Sequence, residues 1–191
     1  MKRFVYTIIA ALSFLALPVS CEKFDPGKTE TMDLAGNWLC TVYYAGEEGF
    51  EADADAEFIT YNTAANLSTE IWVNDQEKYW GTLCKVAASN DERTFGAAGV
   101  EVLDNYNDVG QMIWGGKITE NGAKAPGSGT TVDKIEFFIA FADDEEPYAS
   151  PYYVVGYRRT GYPEDKDNYI EDWTLPSVPE VPAVTQPLPS K

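Results

Sequence analysis

Apolar and polar positions alternate with a period of two along most of the chain, in short runs separated by polar corners; this is the pattern of half-buried β-strands. NWLCTVYY (37–44) places Trp38, Cys40, Val42 and Tyr44 on one face, and AEFITYN (56–62) and TEIWVND (69–75) follow on either side of a corner. YWGTLCKVAA (79–88) puts Trp80, Cys84 and Val86 together. RTFGAA (93–98) and GVEVL (99–103) are weaker and read as one bulged strand or two. QMIWGGKIT (111–119), TVDKIEFFIAFA (131–142) and PYYVVGYRRTG (151–161) complete the series, with Ile135, Phe137, Ile139 and Phe141 sharing a face of the longest. Gly115-Gly116 marks a bulge or sharp bend. No run carries a sustained helical stripe, and DKDNYIEDW (165–173) predicts at most one short turn. About eight short strands with brief turns predict an all-β antiparallel fold. A barrel would remove exposed edges; a β-sandwich satisfies the same alternation.

The ends of the chain read differently. MKRF followed by VYTIIAALSFLALPV and then Ser20-Cys21 has the form of a secretory signal over residues 1–20, too short and too well bounded for a membrane span. Its cysteine placement resembles a bacterial lipoprotein signal, in which Cys21 would be lipidated and become the new N-terminus. Pro18 stands where that signal usually has leucine, and Leu17 lies one position further back. An ordinary secreted protein is the alternative. Residues 21–33 read as a tether, 34–173 as the folded domain, and 174–191 as a proline-rich, polyproline-like tail. The tail reads first as a plain extension, and second as a recognition segment for a protein partner.

Charge and composition narrow the function. The chain has 191 residues, with 14 basic and 31 acidic side chains and a formal charge of −17. Loss of residues 1–20 would remove Lys2 and Arg3 and no acid, leaving −19. That balance argues against nucleic acid or an anionic membrane face as partner. Histidine is absent, which excludes a Ser-His-Asp triad, a Cys-His pair and the usual ligands of catalytic zinc. No cofactor motif is present. With Cys21 lipidated, Cys40 and Cys84 remain, as a disulfide or as two buried thiols.

Three sets of side chains are candidates for chemistry. Asp143-Asp144-Glu145-Glu146 reads as a solvated hairpin loop before a metal site. Asp104, Asn105, Asn107 and Asp108 could offer converging oxygens to calcium, but their spacing does not match an EF-hand loop. The aromatics are the stronger candidates for a ligand: Trp38, Trp72, Trp80, Trp114 and Tyr153 could line a pocket or fill a small barrel. Trp38 and Trp72 read first as core. Arg158 or Arg159, at the end of the last strand, should face inward or cap the barrel. In ITYNTAANLSTEIWV (59–73), Asn62, Thr63, Asn66, Ser68 and Thr69 have the chemistry of a structured turn, with Asn66 suited to a left-handed backbone.

The stretch YNTAANLSTEIWV, with Tyr61, Asn62, Thr63, Ala64, Asn66, Ile71, Trp72 and Val73 and the polar exit Asn74-Asp75, resembles a family of Bacteroidetes lipoproteins labelled lipid-binding putative hydrolases. Asp33-Leu34 and Gly36-Asn37-Trp38 are similar to the opening of lipocalin-type barrels. The resemblance covers about residues 31–160. It implies a calycin-like antiparallel barrel of about eight strands on a lipid anchor, at the outer membrane. EKFD after Cys21 is similar to tethers that direct such lipoproteins to the cell surface. The family label implies lipid binding and hydrolysis, but no residue is assigned to hydrolysis. The expectation is an envelope lipoprotein that binds an apolar or amphipathic small molecule, first a lipid, with hydrolysis open only through the family label. The rival is a structural or protein-interaction component of a surface complex.

Overall fold

The computed structural model describes residues 27–45, 52–97, 100–103 and 106–170, with Trp173 and Val181; the signal-like segment, Cys21 and most of the tail lie outside the described residues. Its strands are β1 (Gly36–Tyr44), β2 (Ala52–Asn62), β3 (Glu70–Asn74), β4 (Leu83–Ser89), β5 (Thr94–Phe95), β6 (Val102–Leu103), β7 (Gly110–Lys124), β8 (Thr131–Phe141) and β9 (Tyr152–Arg158). They pair antiparallel in the order β5-β4-β3-β2-β1-β9-β8-β7-β6, and a further β5–β7 pairing rolls the sheet into a closed eight-stranded barrel with β6 as an extra strand on β7. The sandwich alternative is thereby excluded.

The weak stretch 93–103 resolves into two strands because β7 changes partner along its length. Thr94 and Phe95 pair with Lys117 and Gly116, while Val102 and Leu103 pair with Gln111 and Gly110. Between them the β7–β8 register slips from Trp114 to Lys117, so the predicted bulge is present. Gly115 there has φ +62, and a Cβ on Gly116 would lie 2.5 Å from the Phe95 ring. Glycine is required at both positions, once for conformation and once for close approach.

Two expected elements are displaced. Strand β4 begins at Leu83, which leaves Tyr79 and Trp80 in the preceding loop, where the Asp75 carboxylate holds the chain in a turn. The helical turn expected in 165–173 falls at Pro163–Asp165, where proline supplies the first helical position; Lys166 is already extended.

Alternation identifies the inward faces. Trp38, Cys40 and Val42 meet Ile135, Phe137, Ile139 and Phe141 in one buried interior cluster. Phe137 lies at its centre, edge-on to Phe58 at 5.2 Å and 5.7 Å from Phe95. The interior is therefore filled by side chains, and full burial of each large one contributes roughly 1.5–3 kcal/mol. Cys40 and Cys84 are both buried thiols, not joined in a disulfide. Burial, aided by the nearby Glu57 charge, pushes the Cys40 thiol well above its ordinary pKa, away from nucleophilic use.

The outer faces of β1, β7, β8 and β9 are apolar as well. Tyr43, Met112, Trp114, Phe138, Tyr153 and Val155 form a second buried cluster, against which Trp173 and Val181 pack. The segment leaving β9 is fastened on the way. Asp165 accepts from the Gly127 and Ser128 amides at 3.0 and 2.7 Å and from the Ser128 and Thr160 hydroxyls at 2.6 Å each. Thr41 Oγ1 donates to the Ile170 carbonyl at 2.9 Å, and the Tyr157 hydroxyl donates to that of Asn168. No helix among the described residues is long and apolar enough to cross a membrane.

Candidate functional site

One end of the barrel is closed by residues preceding β1. Leu34 is buried beneath Trp38, whose Nε1 donates to Thr60 Oγ1 at 2.9 Å; that hydroxyl donates in turn to the Leu34 carbonyl. The Arg158 guanidinium lies 4.7 Å from the centroid of the Trp38 ring. Its Nη1 donates to the Ala35 carbonyl at 2.6 Å, and its Nε and Nη2 reach Asp133 Oδ2 at 3.1 and 2.9 Å. Arg158 is thus the residue that caps the barrel. A Cβ on Gly36 would come within 2.8 Å of both Arg158 and the Trp38 ring, which explains a glycine two positions before the tryptophan.

The corner 62–70 belongs to this closure. Asn66 has φ +50, as its residue type predicts, and its amide donates to the Thr63 carbonyl at 3.0 Å. Its side-chain oxygen accepts from the Glu30 amide at 3.1 Å, while Asp33 exchanges two 3.2 Å hydrogen bonds with Asn90. The corner therefore ties the leading segment beneath the barrel. Thr63 Oγ1 donates to Glu70 at 2.6 Å, and this bond, followed by that from Lys85, holds the Glu70 carboxyl below its ordinary pKa.

The opposite end is open. A cavity of about 530 Å³ has an aromatic floor of Trp80, Phe141 and Tyr152. Its walls are Asn107, Val109, Gln111, Asp143 and Asp144. Trp80 sits 5.0 Å from both Phe141 and Tyr152, with the rings inclined by 54° and 55°, and 6.3 Å from the interior Phe58. The loop that carries it is set by Asp75, fully buried, whose Oδ2 accepts from the Trp80 and Gly81 amides at 2.7 and 2.8 Å. From across the opening, Asn107 Nδ2 donates to the carbonyls of Trp80 and Gly81, each at 3.3 Å. Gln111 is buried and accepts from Cys84 Sγ at 3.3 Å. Burial raises the Asp144 carboxyl above its ordinary pKa, a backbone hydrogen bond from Phe141 opposes this, and Asp143 adds to the rise.

The five aromatics selected from the sequence do not converge. Trp80 lines the mouth. Trp38 lies inside at the closed end. Trp114 and Tyr153 are in the outer cluster, Trp114 stacked on Phe138 at 5.6 Å. Trp72 is half-buried on β3, opposite Tyr61 and Lys85. Asp143 and Asp144 do occupy a hairpin loop, between β8 and β9, and they also wall the cavity. Asn107, a calcium candidate by sequence, lines the mouth instead, and Phe141, Tyr152 and Gln111 are not among the five ligand candidates. The available signal was topological: once β7 begins, β8 ends and β9 begins at one end of a barrel, their terminal residues surround one opening. Of the calcium candidates, Asp104 and Asn105 lie outside the described residues.

A closed antiparallel barrel of eight strands, capped at one end beneath a Gly-x-Trp strand opening and concave at the other, defines a protein of calycin-like fold. Over residues 23–163 the chain matches the family described as "Lipid-binding putative hydrolase", and it belongs to that family. No curated protein matches it.

Proposed function

We propose that the protein is a cell-envelope lipoprotein that binds an amphipathic small molecule, first a lipid, at the open mouth of its barrel and not in a central chamber. The aromatic-floored cavity carries this reading: Trp80, Phe141 and Tyr152 offer apolar contact below a polar rim, the arrangement that holds one end of an amphiphile and orients the other. The family description supports the lipid class. The signal-like residues 1–20, Cys21 as lipid acceptor and the polar tether support export, a membrane anchor and a place at the outer membrane. The hydrolase half of the family description has no residue assigned to it in this chain, and Cys40 and Cys84 are too deeply buried to serve as nucleophiles.

Native mass spectrometry of the purified protein, followed by lipid extraction, tests the reading. A co-purified or titratable amphiphile that is lost in Trp80→Ala is the expected result. Absence of any such ligand would favour the interaction role, for which Val100, Leu103 and Tyr106, exposed on and beside β6, are the surface to examine.

A further inference from the structure

We infer that the mouth selects a ligand carrying an ammonium group beside its apolar part and discriminates against the anionic counterpart, an inference that rests on the mouth being the amphiphile site. The floor presents three mutually inclined aromatic rings, and the ring faces of tryptophan and tyrosine attract cations. Two carboxylates, Asp143 and Asp144, stand on the wall of the same cavity. Asp144 Oδ2 is buried and has no hydrogen-bond partner among the described residues. The other polar wall groups are already engaged: Asn107 donates to two backbone carbonyls and Gln111 accepts from Cys84. The cavity therefore offers a ligand mainly acceptors of negative charge.

Positive charge is missing where an anion would need it. No lysine or arginine is among the described residues that line the cavity. In the described loops at this end, 75–82, 106–109 and 142–151, Lys78 is the only cation, and its Nζ is paired with Glu57 Oε2 at 2.5 Å. A phosphate, sulfate or carboxylate head would meet two like charges in a partly desolvated site. An ammonium would be drawn by the charge of the two carboxylates and would lie against Trp80 and Tyr152. Burial raises the Asp144 carboxyl, so a bound cation would offset a cost the folded chain already carries.

The test compares octyltrimethylammonium, octyl glucoside and octyl sulfate, each below its micellar concentration, titrated onto the full chain and followed by tryptophan fluorescence and calorimetry. The ammonium should bind roughly tenfold or more tighter than the sulfate. That preference should collapse in Asp143→Asn/Asp144→Asn, which should bring the ammonium and sulfate affinities together. It should persist in Glu145→Gln/Glu146→Gln, which removes the same charge from two exposed neighbours outside the cavity wall. Melting curves of both double variants confirm that each is folded. Glucoside binding without an ammonium preference overturns this inference alone. So does an equal loss of preference in both double variants, which would make it an effect of overall charge. If none of the three amphiphiles binds the wild-type protein, the mouth reading fails and this inference with it.

Discussion

At the closed end, Trp38 Nε1, Thr60 Oγ1 and three nitrogens of Arg158 have partners and the buried atom without one is a neutral hydroxyl, Thr31 Oγ1, whereas at the mouth a carboxylate oxygen, Asp144 Oδ2, is buried without one. The closed end collects cations, with Arg158 on Asp133 and Arg93 on Asp33 and Glu120. The mouth collects acids. Aromatics occur at both, but Trp38 is sealed under an arginine and Trp80 is left half-exposed above the core. A satisfied polar cluster around a buried ring fixes one structure. A carboxylate with one oxygen unmatched, in the same cavity as inclined rings, keeps capacity for something else. The difference separates the end that stabilises from the end that can bind.

Substitutions at the two ends can break or sharpen that contrast. Trp38→Ala should have the largest effect, a loss of about 3–5 kcal/mol in chemical denaturation, because it opens a cavity and strips Arg158 of its ring. Asp165→Asn comes next. Hydrogen bonds from Ser128, Thr160 and two amides outweigh the cost of burial and hold this carboxyl below its ordinary pKa. A depressed carboxyl contributes stability above its unfolded-state pKa, and the contribution is lost as pH falls through the folded-state value. The variant should therefore melt lower at neutral pH, and the gap from wild type should close toward acid pH. A constant gap across pH would show that the fastening is steric.

Trp80→Ala should cost only about 1–2 kcal/mol, since the ring is partly exposed, yet it should abolish the fluorescence response to amphiphiles. If its stability loss matched that of Trp38→Ala, the mouth would be core by another name. Asp144→Asn should have the smallest effect and the opposite sign. A carboxyl with a raised pKa destabilises the fold in its charged form, so removing the charge should raise Tm slightly at neutral pH. That gain should vanish as pH falls through the raised pKa.

The inward faces were legible from alternation because each strand has one face that must leave water: Trp38, Cys40 and Val42 on β1, and Ile135 to Phe141 on β8, are where period two puts them. The outer cluster was harder to read, since its cover includes Trp173 and Val181, far along the chain, and no local period reports a distant partner. The signal was present in FFIAF (137–141), an unbroken apolar run of the kind found in strands buried on both faces. Aromatic content therefore pointed equally to Trp80 at the mouth and to Trp114 and Tyr153 outside the barrel. The acidic loop was read as solvated. Asp143, Glu145 and Glu146 are exposed and Asp144 is half-buried, and the barrel's closure sets Asp143 and Asp144 in the wall of the cavity that Trp80 and Tyr152 floor.

The β5–β7 pairing joins the cylinder through two residue pairs, Thr94 with Lys117 and Phe95 with Gly116, while β1 and β9 share seven. β5 is joined to β4 by only two pairs as well, so opening the cylinder beside β5 breaks the fewest interstrand pairings, and opening it at β7 parts Phe95 from the ring of Phe137. Hydrogen exchange should find its lowest barrel protection along the two short ladders of β5 and its highest along the long β1–β2 and β7–β8 ladders. The barrel is thus most easily unrolled in the middle of its sequence, at β5, and more firmly held on either side of it. Tolerance to insertion and the first step of unfolding should both fall beside β5, away from the termini.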